Sequence, residues 1–111
     1  MLESLAQQDR EKASEYMTQA IDQNPANTSA SQMLVGLYFN SHKYDRVTAL
    51  YEKMGLGAFR SAPESLAQIS VSFWQSGKAT QAREVIQTAR SLFPQDPLLQ
   101  ATEKSLQRVS R

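Results

Sequence analysis

The chain has 111 residues, 12 Lys and Arg against 11 Asp and Glu, and no cysteine. That length suits one domain with a modest core rather than a large catalytic cavity. A net charge of +1 with no basic cluster argues against a nucleic-acid partner. The absence of cysteine excludes disulfides, thiolate zinc sites and cysteine nucleophiles, and is compatible with cytoplasm and periplasm alike.

Glycine and proline are scarce, four of each, and fall at intervals that close successive segments: Pro25, then Gly55 and Gly57, then Pro94 and Pro97. Between them apolar residues recur every three to four positions, which predicts helices over 2–8, 9–24, 28–41, 44–54, 63–76, 79–92 and 97–109. Gln7-Gln8-Asp9 is a weak break, so the first two are free to run as one. Asn27 or Thr28 is the expected N-cap of the third segment. Ser61-Ala62-Pro63-Glu64 reads as a capping box, and Asp96-Pro97 as a cap directly before a proline at the first helical position. Gly77 marks a turn between two periodic stretches. No stretch alternates long enough to predict a strand.

No apolar run is long enough to span a bilayer, so no direct membrane insertion is expected. MLESLAQQDREK lacks a basic region followed by an apolar one, so no signal peptide is read there. The chain is expected to be a fragment of a larger protein.

Two short stretches match each other 35 residues apart: YFNSHK from Tyr38 and FWQSGK from Phe73. The segments around them repeat as well. QDREKASEYMTQAIDQNP carries Ala13, Met17, Ala20 and Pro25. GKATQAREVIQTARSLFP carries Ala82, Ile86, Ala89 and Pro94 at the same spacing. HKYDRVTALYEKMG places Val47, Tyr51 and Met54 at the equivalent positions. A period near 34 residues is the mark of stacked helical hairpins.

These residues resemble the tetratricopeptide repeat family over almost the whole chain. The resemblance implies an all-α fold, a right-handed superhelical α-solenoid of about 2.5 repeats with a C-terminal capping helix. The units are a partial repeat over 1–27, repeats over 28–62 and 63–96, and a cap over 97–111. The small residues Ala13, Ala20, Ala82 and Ala89 would then let paired helices approach closely, with Met17, Tyr51 and Ile86 between hairpins. Leu34, Tyr38, Leu66, Ile69 and Phe73 would fill the family's large-residue positions. The sequence departs from the pattern in its middle unit, which has Val47 and Met54 for alanine and ends in GLGAF rather than proline. The family's early tryptophan is replaced by Ser31 and Leu66. The cap, PLLQATEKSLQRVSR, sets Leu98, Leu99, Thr102, Leu106 and Val109 on one face, while Met1, Leu2 and Leu5 start a helix too short for a full repeat. LYEKMG and the spacing of the aromatic pairs also resemble pentatricopeptide repeats, which read single-stranded RNA.

In a tetratricopeptide superhelix the first helix of each unit lines the concave face. The residues carried there are Ser29, Gln32, Gly36, Phe39 and Asn40, then Glu64, Ala67, Val71, Trp74 and Gln75. This face is mixed apolar and amide with almost no charge. The family's clamp for a C-terminal carboxylate needs Lys, Arg and Asn there, so no clamp is expected. Instead Phe39 and Trp74 would bury partner side chains while Asn40, Gln32 and Gln75 bond a partner's backbone. The competing reading is that both aromatics are ordinary packing against the next unit.

Nothing in the chain points to catalysis. His42, the lone histidine, reads as a surface turn residue without the companions a zinc site or triad needs. In the tetratricopeptide register most carboxylates fall on outward helix faces or at caps, and no phosphate-cradling or nucleophile motif is present. No cofactor or metal is expected. The functional expectation is a protein-protein interaction module binding a peptide or partner helix, within a bacterial scaffold, secretion or envelope-assembly protein. The alternatives are self-association into a homo-oligomer and an RNA-binding role.

Overall fold

A computed structural model describes residues 2–24 and 28–109, with the side chains of residues 8–9, 11–24 and 28–107. Met1, Pro25 and Asn27, and the side chains of Leu2, Leu5 and Val109, lie outside the described residues, and so do the expectations that fall on them. The described chain is all-helical, with α1 (Leu2–Gln23), α2 (Thr28–Asn40), α3 (Tyr44–Met54), α4 (Pro63–Gln75), α5 (Ala79–Leu92) and α6 (Pro97–Val109). A single 3-10 turn, Leu56–Ala58, separates α3 from α4. Gln7-Gln8-Asp9 does not interrupt α1, since none of these residues costs a helix what Gly or Pro does.

Two corners of the fold are built alike, and they are YFNSHK and FWQSGK. Lys43 N–H donates to Tyr38 O at 2.8 Å and His42 N–H to Phe39 O at 3.0 Å. In the second corner Lys78 N–H donates to Phe73 O at 2.9 Å and Gly77 N–H to Trp74 O at 3.1 Å. This pair of bonds is the Schellman ending of a helix, which needs one residue in the left-handed region. Gly77 takes it with φ 79° and His42 with φ 58°. The one position at which the two stretches differ between serine and lysine is thus the position with positive φ.

The helix starts separate two sequence patterns that look equivalent. Asp96 Oδ1 accepts from Leu98 N–H at 2.9 Å and Leu99 N–H at 3.1 Å, as the Asp-Pro start predicts. The Ser61–Glu64 capping box does not form: Ala62 is the N-cap of α4, with no side-chain cap bond, and Ser61 and Glu64 are exposed. The cause is Pro63. A residue before proline is pushed out of the helical region, and Ala62 sits at φ −124°, ψ 83°. The helix therefore begins at Pro63, and Glu64 falls one residue short of the position a box requires.

Packing follows a simple order. α2 lies against α4 and α4 against α6; α3 sits on α2 and α4, and α5 on α4 and α6. α1 packs on α2. α1, α3 and α5 do not pack closely on one another. The molecule measures 39 × 34 × 22 Å, and the short dimension accommodates two layers of helices about 10 Å apart.

The amphipathic stripe of α5 buries Ala82, Val85, Ile86 and Ala89 at i, i+3, i+4 and i+7. Val47 and Leu50 are buried at i and i+3 in α3, and α2 buries Ala30, Ser31, Leu34 and Val35, two adjacent pairs one turn apart. α4 is enclosed on most sides, with Leu66, Ile69 and Phe73 in the core. Ala82 and Ala89 are fully buried, whereas Ala13 and Ala20 on α1 are half-buried. Ser31 and Leu66 are both fully buried, and the Ser31 hydroxyl makes no hydrogen bond.

The segment GLGAF follows α3 with a glycine at φ 77° and the 3-10 turn. It delivers Phe59 to the interior with no exposed surface. Tyr51 bridges Phe59 and Phe73, with ring centroids 6.1 and 5.8 Å away. After α5 the Pro94 carbonyl accepts from Arg90 Nη1 and Gln100 Nε2, both at 3.1 Å, and Arg90 Nε lies 3.5 Å from Glu103 Oε1. These contacts fix α6 against α5.

Candidate functional site

The side of α2 that faces the start of α4 is open. α2 and the N-terminal part of α4 form the walls of an open groove of about 470 Å³, lined also by Ser61, Ala62 and Pro63. Gln32, Met33, Gly36 and Asn40 line it from α2, and Glu64, Ser65 and Gln68 from α4. Gln32 is held in place because its Nε2 donates to the Ala58 carbonyl at 3.2 Å, tying α2 to the 3-10 turn.

Gly36 sits in the middle of α2, where glycine costs a helix about 1 kcal/mol relative to alanine. Nothing inside the fold requires it. A Cβ at this position would meet no atom within 4 Å, so the missing side chain leaves open space in the groove. Three residues earlier Met33 is 58% exposed, one of the few large apolar side chains left in solvent. The groove therefore combines an exposed apolar side chain, a stretch of bare backbone and a set of amides and hydroxyls. Glu64 is its only charged side chain.

Four of the ten residues expected on this face, Gln32, Gly36, Asn40 and Glu64, come together in the groove. Ser29 and Gln75 are exposed beyond its lining, and Val71 is half-buried. Ala67 is only 4% exposed and belongs to the core, so it offers no surface to a partner. Phe39 and Trp74 are half-buried and pack against the core, and neither lines the groove. The Phe39 ring meets Tyr44 edge-on at 5.7 Å.

Met33 and Gln68 line the groove without having been expected there. The signal lay in the sequence. Ser29, Met33, Gly36 and Asn40 step by four, three and four, a straight stripe along a helix. The same stripe 35 residues on is Glu64, Gln68, Val71 and Gln75. Centring the face on Phe39 and Trp74 rotated it toward the interior.

On the other side of the molecule two clefts separate α1 from α3 and α3 from α5. The first is lined by Ile21, Leu34, Tyr38 and Leu50, with Arg46 and Lys53 beside them. The second holds Tyr51, Phe73 and Val85, with Glu52 and Glu84 beside them. Burial raises the Tyr51 phenol above its ordinary range, and the nearby Glu84 carboxylate pushes it the same way.

Among the described residues no three histidine, aspartate or glutamate side chains converge, and no helix is long and apolar enough to cross a membrane. No protein-family model matches the chain, and no curated protein matches it.

Proposed function

We propose that the chain is a non-catalytic protein-interaction module, an α-solenoid of tetratricopeptide-like hairpins that takes a segment of a partner protein along the α2–α4 groove. The packing order supports the solenoid reading, because each helix contacts only neighbours one or two places along the chain. The matched Schellman corners, 35 residues apart, support it as well.

The observation that carries the binding reading is Gly36. A mid-helix glycine with no atom within 4 Å of its would-be Cβ lowers stability without an internal reason. It does let another backbone approach closely, and the amides of Gln32, Asn40 and Gln68 provide donors and acceptors for that backbone. An apolar partner side chain would rest on Met33. The larger context, an assembly, secretion or envelope protein, rests on the resemblance alone.

Selection of a random-peptide display library on the wild-type protein, followed by binding to Gly36→Leu, tests this reading. A Cβ meets no atom at this position, the side chain would extend into the open groove, and leucine raises helix propensity, so the fold stays intact. Enriched peptides should bind the wild type and lose at least about tenfold on Gly36→Leu. Peptides that bind both proteins equally would overturn the groove assignment.

A further inference from the structure

The two clefts between α1, α3 and α5 are the same place in successive units. Tyr38, Arg46, Ala49, Leu50 and Lys53 of the first stand 35 residues before Phe73, Gln81, Glu84, Val85 and Thr88 of the second. Packing has made their shapes alike, yet their chemistry is opposite. Arg46 and Lys53 stand in the first and Glu52 and Glu84 in the second, and one member of each set has an exposed ion-pair partner, Asp22 for Lys53 and Lys78 for Glu52. The first encloses about 300 Å³. The second has a similar volume, about 270 Å³, and the Tyr51 ring among its lining stands 5.8 Å from Phe73.

From this difference we infer that the α1–α3 cleft is a binding site for a small free carboxylate carrying an alkyl tail. The floor is apolar: Ile21, Leu34 and Leu50 are buried beneath it and the Tyr38 ring forms a wall. The exposed Arg46 guanidinium lies over the Tyr38 ring, its carbon 5.8 Å from the ring centre, which brings its N–H donors to the mouth. Lys53 Nζ is engaged by Asp22 Oδ1 at 3.2 Å, but both side chains are more than half exposed. An exposed pair of this kind is worth at most about 1 kcal/mol, so Lys53 can exchange that partner for a ligand carboxylate. The volume suits a short alkyl chain and is at the lower end of small-molecule sites. A cationic mouth over apolar side chains is complementary to an alkyl carboxylate, whereas the sister cleft offers Phe73 and Val85 to the tail but sets Glu52 and Glu84 against the carboxylate.

The test is amide-resolved NMR titration of the intact chain with sodium octanoate, with octanol as the uncharged control. Octanoate should shift the amides around Thr18–Ile21 and Arg46–Lys53, and Arg46→Gln should weaken it about tenfold while leaving the circular dichroism unchanged. Glu84→Gln, in the sister cleft, should leave octanoate affinity as it was. The assignment is overturned if octanoate produces no shifts, if octanol binds as tightly, if Arg46→Gln has no effect, or if the shifts centre on the α3–α5 cleft. Ala49→Phe gives a second reading, because it narrows the mouth without touching a charge and should also weaken binding.

Discussion

The ring of Tyr51 on α3 meets that of Phe73 on α4 edge-on, at 5.8 Å and an interplanar angle of 88°. Edge-to-face pairs are favourable beyond their buried area, and this one joins α3 to α4. It also places a titratable group in a partly desolvated contact beside Glu84, and both causes favour the neutral phenol. In the unfolded chain Tyr51 ionises near its ordinary value of about 10. Above that pH the unfolded state has given up a proton that the folded state retains. Stability should therefore be fully present below pH 10 and fall as pH rises through the folded value. Tyr51→Phe should flatten this alkaline decline, measured as the melting temperature from pH 8 to 11 for both proteins. Equal slopes would remove Tyr51 as its cause.

The paired corners make a second prediction. His42 holds a left-handed conformation that costs a non-glycine residue roughly 1 kcal/mol, and Gly77 holds its equivalent at no such cost. His42→Gly should stabilise the protein by up to about 1 kcal/mol, less whatever is lost with the exposed 2.9 Å His42–Tyr44 hydrogen bond. Gly77→Ala should destabilise by about the same amount, read from urea midpoints at constant slope.

The two proline-led starts should respond differently to removal of their oxygen side chains. Asp96→Ala deletes an acceptor for two backbone N–H groups of α6 and should cost about 1 kcal/mol. Ser61→Ala should be neutral within about 0.5 kcal/mol, because Ser61 caps nothing. Equal losses in chemical denaturation would mean that Ser61 supports α4 after all.

Trp74→Ala distinguishes packing from binding. The ring is half-buried against the core and outside the groove lining, so its removal should cost about 2 kcal/mol, below the range for a fully buried aromatic. Peptides selected on the α2–α4 groove should bind the folded variant with unchanged affinity. Loss of binding at full folding would return Trp74 to the partner surface.

The helices were legible in the sequence because their signals are local. Period, proline and glycine fix the spans of α2 to α6 to within about a residue, and the Asp96 cap follows from a single dipeptide. Phe59 was not legible. It lies in GLGAF, where there is no helical period, and its burial depends on the 3-10 turn returning it under Tyr51. The capping box at Ser61 failed because the effect of Pro63 on Ala62 outranked the pattern around it. The groove was half legible. Adjacent helical residues point about 100° apart, so the choice of Phe39 or Met33 as the centre of a face depends on which neighbours α2 meets. The opposite charges of the two clefts were present in the repeat alignment, but they acquire a meaning only once α1, α3 and α5 are known to stand apart.

The enclosure of α4 has a consequence for how the molecule opens. α4 touches α2, α3, α5 and α6, so its amides can reach solvent only after most of the other packing has gone. α1 packs closely on α2 alone, with one exposed ion pair from Asp22 to Lys53 of α3, and can detach while the remaining helices stay closed. Native-state hydrogen exchange should therefore form a ladder, fast in α1 and slowest in α4, where exchange reports the global free energy. α4, held by four neighbours, is thus the last lock of the fold, and α1 its loosest bolt.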